Sequence, residues 1–323
     1  MRAVVYDRYG PPEAVLRLED VERPSVGEHD VLVRVRAASV NSWDCDNLLG
    51  RPLLNRAGWG LSRPRHRVLG ADVAGEVVAV GPSVDRFRSG DQVFGDLSGC
   101  GWGGFAEFVS AHENALETKP AELGFHQAAA MPQAGVMALQ AVGRHVEVPG
   151  RRVLVNGAGG GVGTFAIQLA RLHGARVTGV DSTGKLDLMR SLGAETVVDY
   201  TSEDLAERSE RFDLIIDVIA RRSMFDYRRL LAPGGRYVMI GGATSRIAQV
   251  LIFGAWEAAT RSDRTMSLLV HRPNQDLDRL AALARDGTIS PVIGETFELA
   301  DVAKAIRLVI DGRSHGKVVV GVA

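Results

Sequence analysis

Val153-Leu154-Val155-Asn156 runs directly into Gly157-Ala158-Gly159-Gly160-Gly161-Val162-Gly163, and that loop opens Thr164-Phe165-Ala166-Ile167-Gln168-Leu169-Ala170. No other stretch restricts the fold of this chain as strongly. A short apolar run of strand type meets a turn that only small residues permit, and the turn leads into an amphipathic helix. Glycines let the backbone turn tightly and bring successive N–H groups up to an anion at the helix N-terminus, where the dipole favours negative charge. The frame Ala158-x-Gly160-x-x-Gly163 is the dinucleotide fingerprint with alanine in its first position. Eighteen residues beyond Gly163 stands Asp181, where an acid commonly meets a ribose hydroxyl. A glycine turn that merely packs helix on sheet is the competing reading. The strand before, the helix after and the distal acid together favour a dinucleotide, with Ala158, Gly159, Gly160, Gly161, Val162, Gly163 and Asp181 as its expected contacts.

The texture around this loop is a repeating alternation. Strands are expected over 153–156, 177–181, 196–198, 214–218 and 237–240, with helices over 163–173, 185–192 and 223–231. Short apolar strands alternating with helices mean a doubly wound parallel sheet of Rossmann type, an α/β architecture. Upstream the chain reads as strands broken by turns, over 31–37, 75–81, 92–95 and 105–109, and residues 125–142 read as helices. Strands over 265–270 and 317–320 and a helix over 276–285 complete the pattern. The expected organisation is a Rossmann domain over 123–272 inserted into a β-rich domain made of residues 1–122 and 273–323.

Composition narrows the function. A chain of 323 residues suits two cores rather than one, and 46% hydrophobic with 24% charged residues is a soluble globular composition. Basic and acidic residues number 38 and 39, a balance that argues against nucleic acid as a partner. Cys45 and Cys100 are the two cysteines, too few for a disulfide framework or a four-cysteine zinc site. The eight histidines form no cluster with metal-ligand spacing, so no metal is expected. The longest apolar run, 247–259, is interrupted by Gln249, Gly254 and Glu257, so no membrane span is expected either. The start of the chain lacks the apolar stretch of a signal peptide, and the expectation is a cytoplasmic protein.

Two features bear on the choice of dinucleotide. Asp181 would repel a 2′-phosphate, whereas Ser182, Thr183 and Lys185 offer hydroxyls and an ammonium that suit one. Tyr200, after the third strand of the alternation, adds a possible donor. NADP(H) is favoured and NAD(H) stays open; a solvent-facing Lys185 and a merely exposed Tyr200 are the plain alternatives. No tyrosine has a lysine four residues on, so the tyrosine–lysine pair of short-chain reductases is missing. Four lysines stand among the 38 basic residues, and Lys119 and Lys304 read as surface charges.

The segments Ala38-Ser39-Val40-Asn41-Ser42-Trp43-Asp44, Val68-Leu69-Gly70-Ala71-Asp72-Val73-Ala74-Gly75, Gly90-Asp91-Gln92-Val93-Phe94-Gly95, Gly104-Phe105-Ala106-Glu107-Phe108 and Gly316-Lys317-Val318-Val319 carry a resemblance. Together with the glycine loop, they resemble the medium-chain dehydrogenase/reductase superfamily over essentially the whole length. Zinc alcohol dehydrogenases of that superfamily place cysteine where Asn41 stands and Gly-His-Glu where Gly70-Ala71-Asp72 stands. The pattern here is similar to the zinc-free quinone oxidoreductase-like branch. The resemblance implies a GroES-like catalytic domain, with Asn41 facing nicotinamide and substrate and Trp43 and Asp44 near it. It also implies that Ile240, Gly241 and Gly242 pass beside the nicotinamide and that Lys317 approaches from the tail strand. Trp43 as a core aromatic, Asp44 as a structural acceptor and Lys317 as a solvated lysine remain the alternatives. Met137 and Asp46 depart from the family, which usually has threonine and often histidine there.

The expected reaction is hydride transfer from a nicotinamide to a quinone or an α,β-unsaturated carbonyl, with Asn41 stabilising charge on the acceptor oxygen. A pathway-specific enoyl or ketone reductase and a nucleotide-binding protein without turnover are the rival readings. A long apolar edge strand over 265–270 is a liability unless paired, so a homodimer through that Rossmann edge strand is expected.

Overall fold

Arg2–Val5 (β1) and Arg17–Asp20 (β2) pair antiparallel at the start of the chain. The valine-rich strand Asp30–Val40 (β3) turns Val31, Val33 and Val35 into the core, as period-two alternation demands. Asp72–Val80 (β4) runs antiparallel to it along most of its length. Gln92–Asp96 (β5) extends the sheet beyond β4, Phe108–His112 (β6) pairs with β3, and the short Glu117–Thr118 (β7) closes on β5. The sequence placed β6 three residues early; Phe105 and Ala106 instead approach β1, through a backbone hydrogen bond to Val4 and a bridge to Ala3.

The structure, a computed structural model, describes residues 1–260 and 263–322, without the side chains of 54, 144, 206 and 258. Residues 261–262 of the expected Rossmann domain and Ala323 of the expected C-terminal return lie outside the described residues. The chain divides into two compact units, Met1–Val136 with Pro273–Ala323, and Met137–Arg272. Helices Phe125–Ala129 and the start of Pro132–Val142 therefore cluster with the first unit.

In the second unit Arg152–Asn156 (β8), Arg176–Asp181 (β9), Thr196–Asp199 (β10), Phe212–Asp217 (β11), Leu231–Met239 (β12) and Thr265–Leu268 (β13) form one parallel sheet. Its order is β10-β9-β8-β11-β12-β13, the doubly wound arrangement in which strand order reverses beside the first strand. Strand β12 is longer than its sequence suggests because Pro233-Gly234-Gly235 lies inside it, where the pairing with β11 changes register. Helix Thr244–Ala259, read from sequence only as an interrupted apolar run, packs on β13 and leaves Leu251, Ile252 and Trp256 exposed. No described helix is long and apolar enough to cross a membrane. The two ends of this unit are clasped: the Gln140 amide donates to the Arg272 carbonyl at 2.9 Å and accepts from the Arg272 N–H at 3.2 Å.

The first unit resumes with helix Leu277–Arg285, strand Ile293–Glu298 (β14), helix Val302–Ile310 and strand Lys317–Gly321 (β15). Antiparallel pairing puts β15 against the end of β3, with Val318 opposite Val40. Val318 and Val320 join Val33, Val35, Val73, Val93 and Phe105 in the buried core. The return therefore seats Lys317 beside the last residues of β3.

Candidate active site

The glycine loop leaves β8 at the C-terminal edge of the sheet and enters helix Gly161–Leu172 through Gly160. Gly157 has φ 81°, which a side chain would oppose. A Cβ on Gly163 would stand 2.2 Å from the Gly157 carbonyl oxygen and 2.5 Å from the Ala158 Cα, so only glycine lets the helix lie this close. At Gly160 the nearest atom to such a Cβ is 3.4 Å away, leaving the first turn open for an anion. These features fit a dinucleotide pyrophosphate.

Asp181 ends β9 and is buried. One carboxylate oxygen accepts the Gly159 N–H at 2.9 Å and the other accepts the Ser182 N–H at 2.9 Å. The Lys185 ammonium lies 3.4 Å from Asp181 Oδ1, with the side chains 8% and 4% exposed. Lys185 is thus no solvent-facing lysine: its stem crosses Gly159, where a Cβ would sit 2.7 Å from it. The pair holds the loop and cancels the charge of Asp181. The Ser182 hydroxyl reaches Asp181 Oδ1 at 3.5 Å, and the Thr183 hydroxyl donates to Asp199 at 2.5 Å. That bond and those from Thr201 hold the Asp199 carboxyl below its usual range.

Tyr200 is exposed, and Arg221 stands over its ring at 5.9 Å. Both line a cavity of about 210 Å³ together with Asn156, Gly157, Val180 and Ile219. Arg221 and Arg222, which also lines the cavity, were missed from sequence, although two consecutive arginines just past the end of a doubly wound strand were a usable signal. Below the cavity, the Asp217 carboxylate accepts from Asn156 Nδ2 at 2.7 Å, the Ala220 N–H at 2.8 Å and the Tyr237 hydroxyl at 2.8 Å. Burial pushes that carboxyl upward. The Ile240 N–H donates to the Asp217 carbonyl at 2.8 Å, which fixes where Gly241 and Gly242 leave the sheet.

A second cluster belongs to the other unit. Asn41 follows β3 and begins helix Ser42–Leu49. Asp44 is fully buried, and its carboxylate accepts the Asn41 N–H at 2.8 Å and the Gly70 N–H at 2.9 Å. Burial, with Asp72 nearby, raises Asp44 to about 7 against those two hydrogen bonds. Burial likewise lifts Asp46 to about 6. Asn41 Nδ2 donates to Asp72 Oδ2 at 2.9 Å, and Asn41 Oδ1 accepts from the Lys317 ammonium at 2.5 Å. Lys317 also donates to the Val40 carbonyl and to Asp72 Oδ2, each at 3.2 Å. Asp72 further accepts the Ser39 hydroxyl at 3.0 Å and the Gln133 N–H at 3.0 Å. Burial draws the Asp72 carboxyl upward and Lys317 opposes it. With an ammonium and three other donors turned on it, Asp72 is the anionic half of a buried ion pair.

Several expectations change here. Lys317 is 3% exposed, so the solvated-lysine alternative falls. Trp43 is 37% exposed, so it is no core aromatic. Lys119 is buried rather than a surface charge, its ammonium donating to the Leu123 and Pro120 carbonyls. Met137 is buried in the second unit. Asp72, Ser39 and Gln133 were not foreseen as site residues, because nothing in local spacing joins residues 39, 41, 72, 133 and 317.

The donors around Asn41 do not fit a zinc ion. An amide, one carboxylate and an ammonium face each other there, and no group of three or more His, Cys, Asp or Glu able to hold a metal occurs among the described residues. Cys45 is buried with its thiol pushed well up, and burial raises Cys100 to about 11.

Comparison with known proteins agrees with this architecture. The model for the alcohol dehydrogenase GroES-like domain matches residues 27–121, and a model described as zinc-binding dehydrogenase matches residues 192–320. The chain is 33% identical to the chloroplastic quinone-oxidoreductase QR1 of Triphysaria versicolor, covering 99% of this chain and 98% of that one. It is 31% identical to the NADPH-dependent alkenal/one oxidoreductase of Arabidopsis thaliana over 99% of this chain and 79% of the relative. The solved quinone oxidoreductase of Coxiella burnetii superposes with a TM-score of 0.89 at 30% identity, covering 100% and 99% of the two chains. The chain belongs to the quinone oxidoreductase-like oxidoreductases of the medium-chain dehydrogenase/reductase superfamily.

Proposed function

We propose that this protein transfers hydride from NADPH to a quinone or an α,β-unsaturated carbonyl without a metal ion. The observation that carries this reading is the likeness, over 99% of this chain, to relatives named for quinones and for alkenals and alkenones. When bound, the reduced nicotinamide supplies the hydride. Ala158 to Gly163 would hold the pyrophosphate on backbone N–H groups. The neutralised Asp181–Lys185 pair no longer repels a 2′-phosphate, and Arg221 beside Tyr200 offers it a cation, which favours NADPH over NADH. Ile240, Gly241 and Gly242, which leave the sheet beside Asp217, would hold the nicotinamide end of the cofactor. Asn41 donates to the acceptor oxygen as negative charge develops there, Trp43 borders the acceptor, and Asp44 keeps the start of the Asn41 helix in place.

Electron-poor acceptors suit such a site because they need less polarisation than a simple ketone. NADPH and NADH oxidation followed at 340 nm against a panel of quinones, enals and enones tests the reading. NADPH turnover with at least one acceptor is expected, and Asn41→Ala should lower kcat by about 10²-fold, the usual consequence of losing one oxyanion donor. No oxidation of either cofactor across the panel overturns it.

The assembly proposed is a homodimer through β13, one of the two outer strands of the described sheet, with the exposed Leu251, Ile252 and Trp256 of the neighbouring helix flanking it. A monomer mass by light scattering at micromolar concentration would refute it.

A further inference from the structure

We propose that Lys317 and Asp72 are positioning residues that lock the Asn41 amide, leaving one Nδ2–H as a fixed, polarised donor for the acceptor oxygen. The proposal rests on the role given to Asn41 above and adds what orients it.

The lock follows from the valence of the partners. A lysine ammonium can only donate, and an ionised carboxylate can only accept. Asn41 Oδ1 faces Lys317 Nζ at 2.5 Å and Asn41 Nδ2 faces Asp72 Oδ2 at 2.9 Å. Turning the amide over would set its NH₂ against an ammonium and its oxygen against a carboxylate, two repulsions in a site where Lys317 and Asp72 are 3% and 0% exposed. Little solvent is present to screen them. The ion pair is itself anchored, by Val40 O on the lysine and by Ser39 Oγ and Gln133 N on the carboxylate.

An amide nitrogen carries two hydrogens. One meets Asp72, and the other has no acceptor among the described residues. Loading Oδ1 with a cation draws electron density from the amide nitrogen, so the remaining N–H becomes a stronger donor. A free asparagine would have to pay for orientation at the moment charge develops; here folding has already fixed it. The arrangement thus gives a neutral side chain part of the pull of the buried cation behind it, while the carboxylate keeps the cluster from carrying net charge.

A purely architectural role would be to pin the end of β15 to the ends of β3 and β4. A double-mutant cycle separates the two roles. Lys317→Met should lower kcat by about 10²-fold, with the NADPH Kd and the folded CD spectrum unchanged. In an Asn41→Ala background the same change should have almost no further effect on kcat, because the lysine acts through that amide. Losses that multiply in full, or a Lys317→Met enzyme with wild-type kcat, overturn the proposal. Where Lys317→Met does not fold, Asp72→Asn replaces it in the same cycle under the same criteria.

A second measurement needs neither turnover nor a variant. In ¹⁵N NMR the two Nδ2 protons of Asn41 should exchange with solvent at rates differing at least tenfold, the Asp72-bonded one being slow. Equal exchange of the two protons overturns the lock. Absence of turnover on any acceptor, with that difference intact, refutes the proposed function and leaves the lock standing.

Discussion

Replacing Gly163 by alanine separates the architectural glycine of the nucleotide loop from the glycine that meets the ligand. The added Cβ would stand 2.2 Å from the Gly157 oxygen and 2.5 Å from the Ala158 Cα, where real Cβ atoms are essentially never closer than 3.0 Å. Both obstacles are backbone, so helix Gly161–Leu172 must retreat by about 0.8 Å. That helix buries Phe165, Ile167 and Leu169, and a gap of about 0.5–1 Å forfeits roughly a quarter to a half of each contact's dispersion energy. The cost belongs at the upper end of overpacking effects, about 3 kcal/mol. With an unfolding entropy of about 2.1 cal/mol/K per residue, a chain of 323 residues loses about 1.5 °C per kcal/mol, so Tm should fall by roughly 4–5 °C. Gly160→Ala is the matched control. Its φ is −89° and its new methyl meets the Gly157 oxygen at an ordinary 3.4 Å, so Tm should move by no more than about 2 °C. Its methyl would nevertheless intrude on the pyrophosphate, weakening NADPH by about tenfold or more, which is about 1.4 kcal/mol. Differential scanning calorimetry and titration calorimetry read the two effects. A Gly163→Ala protein that melts with the wild type, or a Gly160→Ala protein that binds NADPH as the wild type does, refutes the reasoning.

Three further outcomes follow from buried charge. Lys185→Met keeps the stem over Gly159 but strands Asp181, and should cost about 3 kcal/mol in urea unfolding, with Asp181→Asn in the same chain recovering much of it; no loss would mean the pair is idle. Asp44 and Asp46, raised to about 7 and about 6, hold protons in the folded chain that an unfolded chain releases near pH 3.8. Stability should therefore fall as pH rises from about 4 to 7, by at most about 4 kcal/mol from Asp44 at about 1.36 kcal/mol per pH unit. Asp44→Asn should flatten that decline in Tm, and an unchanged slope would count against it. Both thiols should react slowly with a disulfide reagent at pH 7.5 in the native protein, since burial holds Cys45 and Cys100 in the protonated form; rapid release of the reporter thiolate by either would contradict this.

The Rossmann sheet was legible because its strands and helices carry their own periodicity, and Val153 to Ala170 announces strand, turn and helix within one local stretch. Strand β12 was shortened in the reading because Pro233 and two glycines conceal a strand that pairing with β11 enforces. The roles of Asp181 and Lys185 were half visible. Their spacing suggested a nucleotide, but sequence shows no burial, and burial turns two competing ligands into one neutral pair. The Asn41 cluster was least visible, since a bond between residue 41 and residue 317 exists only once β15 lies against β3. Arg221 escaped notice because its significance depends on where the end of β11 stands beside Tyr200.

The amide clasp between Gln140 and Arg272 has a consequence for how such a chain can be rearranged. A segment of well over a hundred residues leaves and rejoins the chain at points joined by two hydrogen bonds, so its two ends present themselves side by side. Loop-closure entropy, which ordinarily penalises a long insertion, is met once by this stitch. The nucleotide unit is in that sense a detachable cassette. Chain ends placed beside this stitch would lie next to each other, and residues 137–272 should be the natural unit for transplantation between relatives that differ in dinucleotide preference.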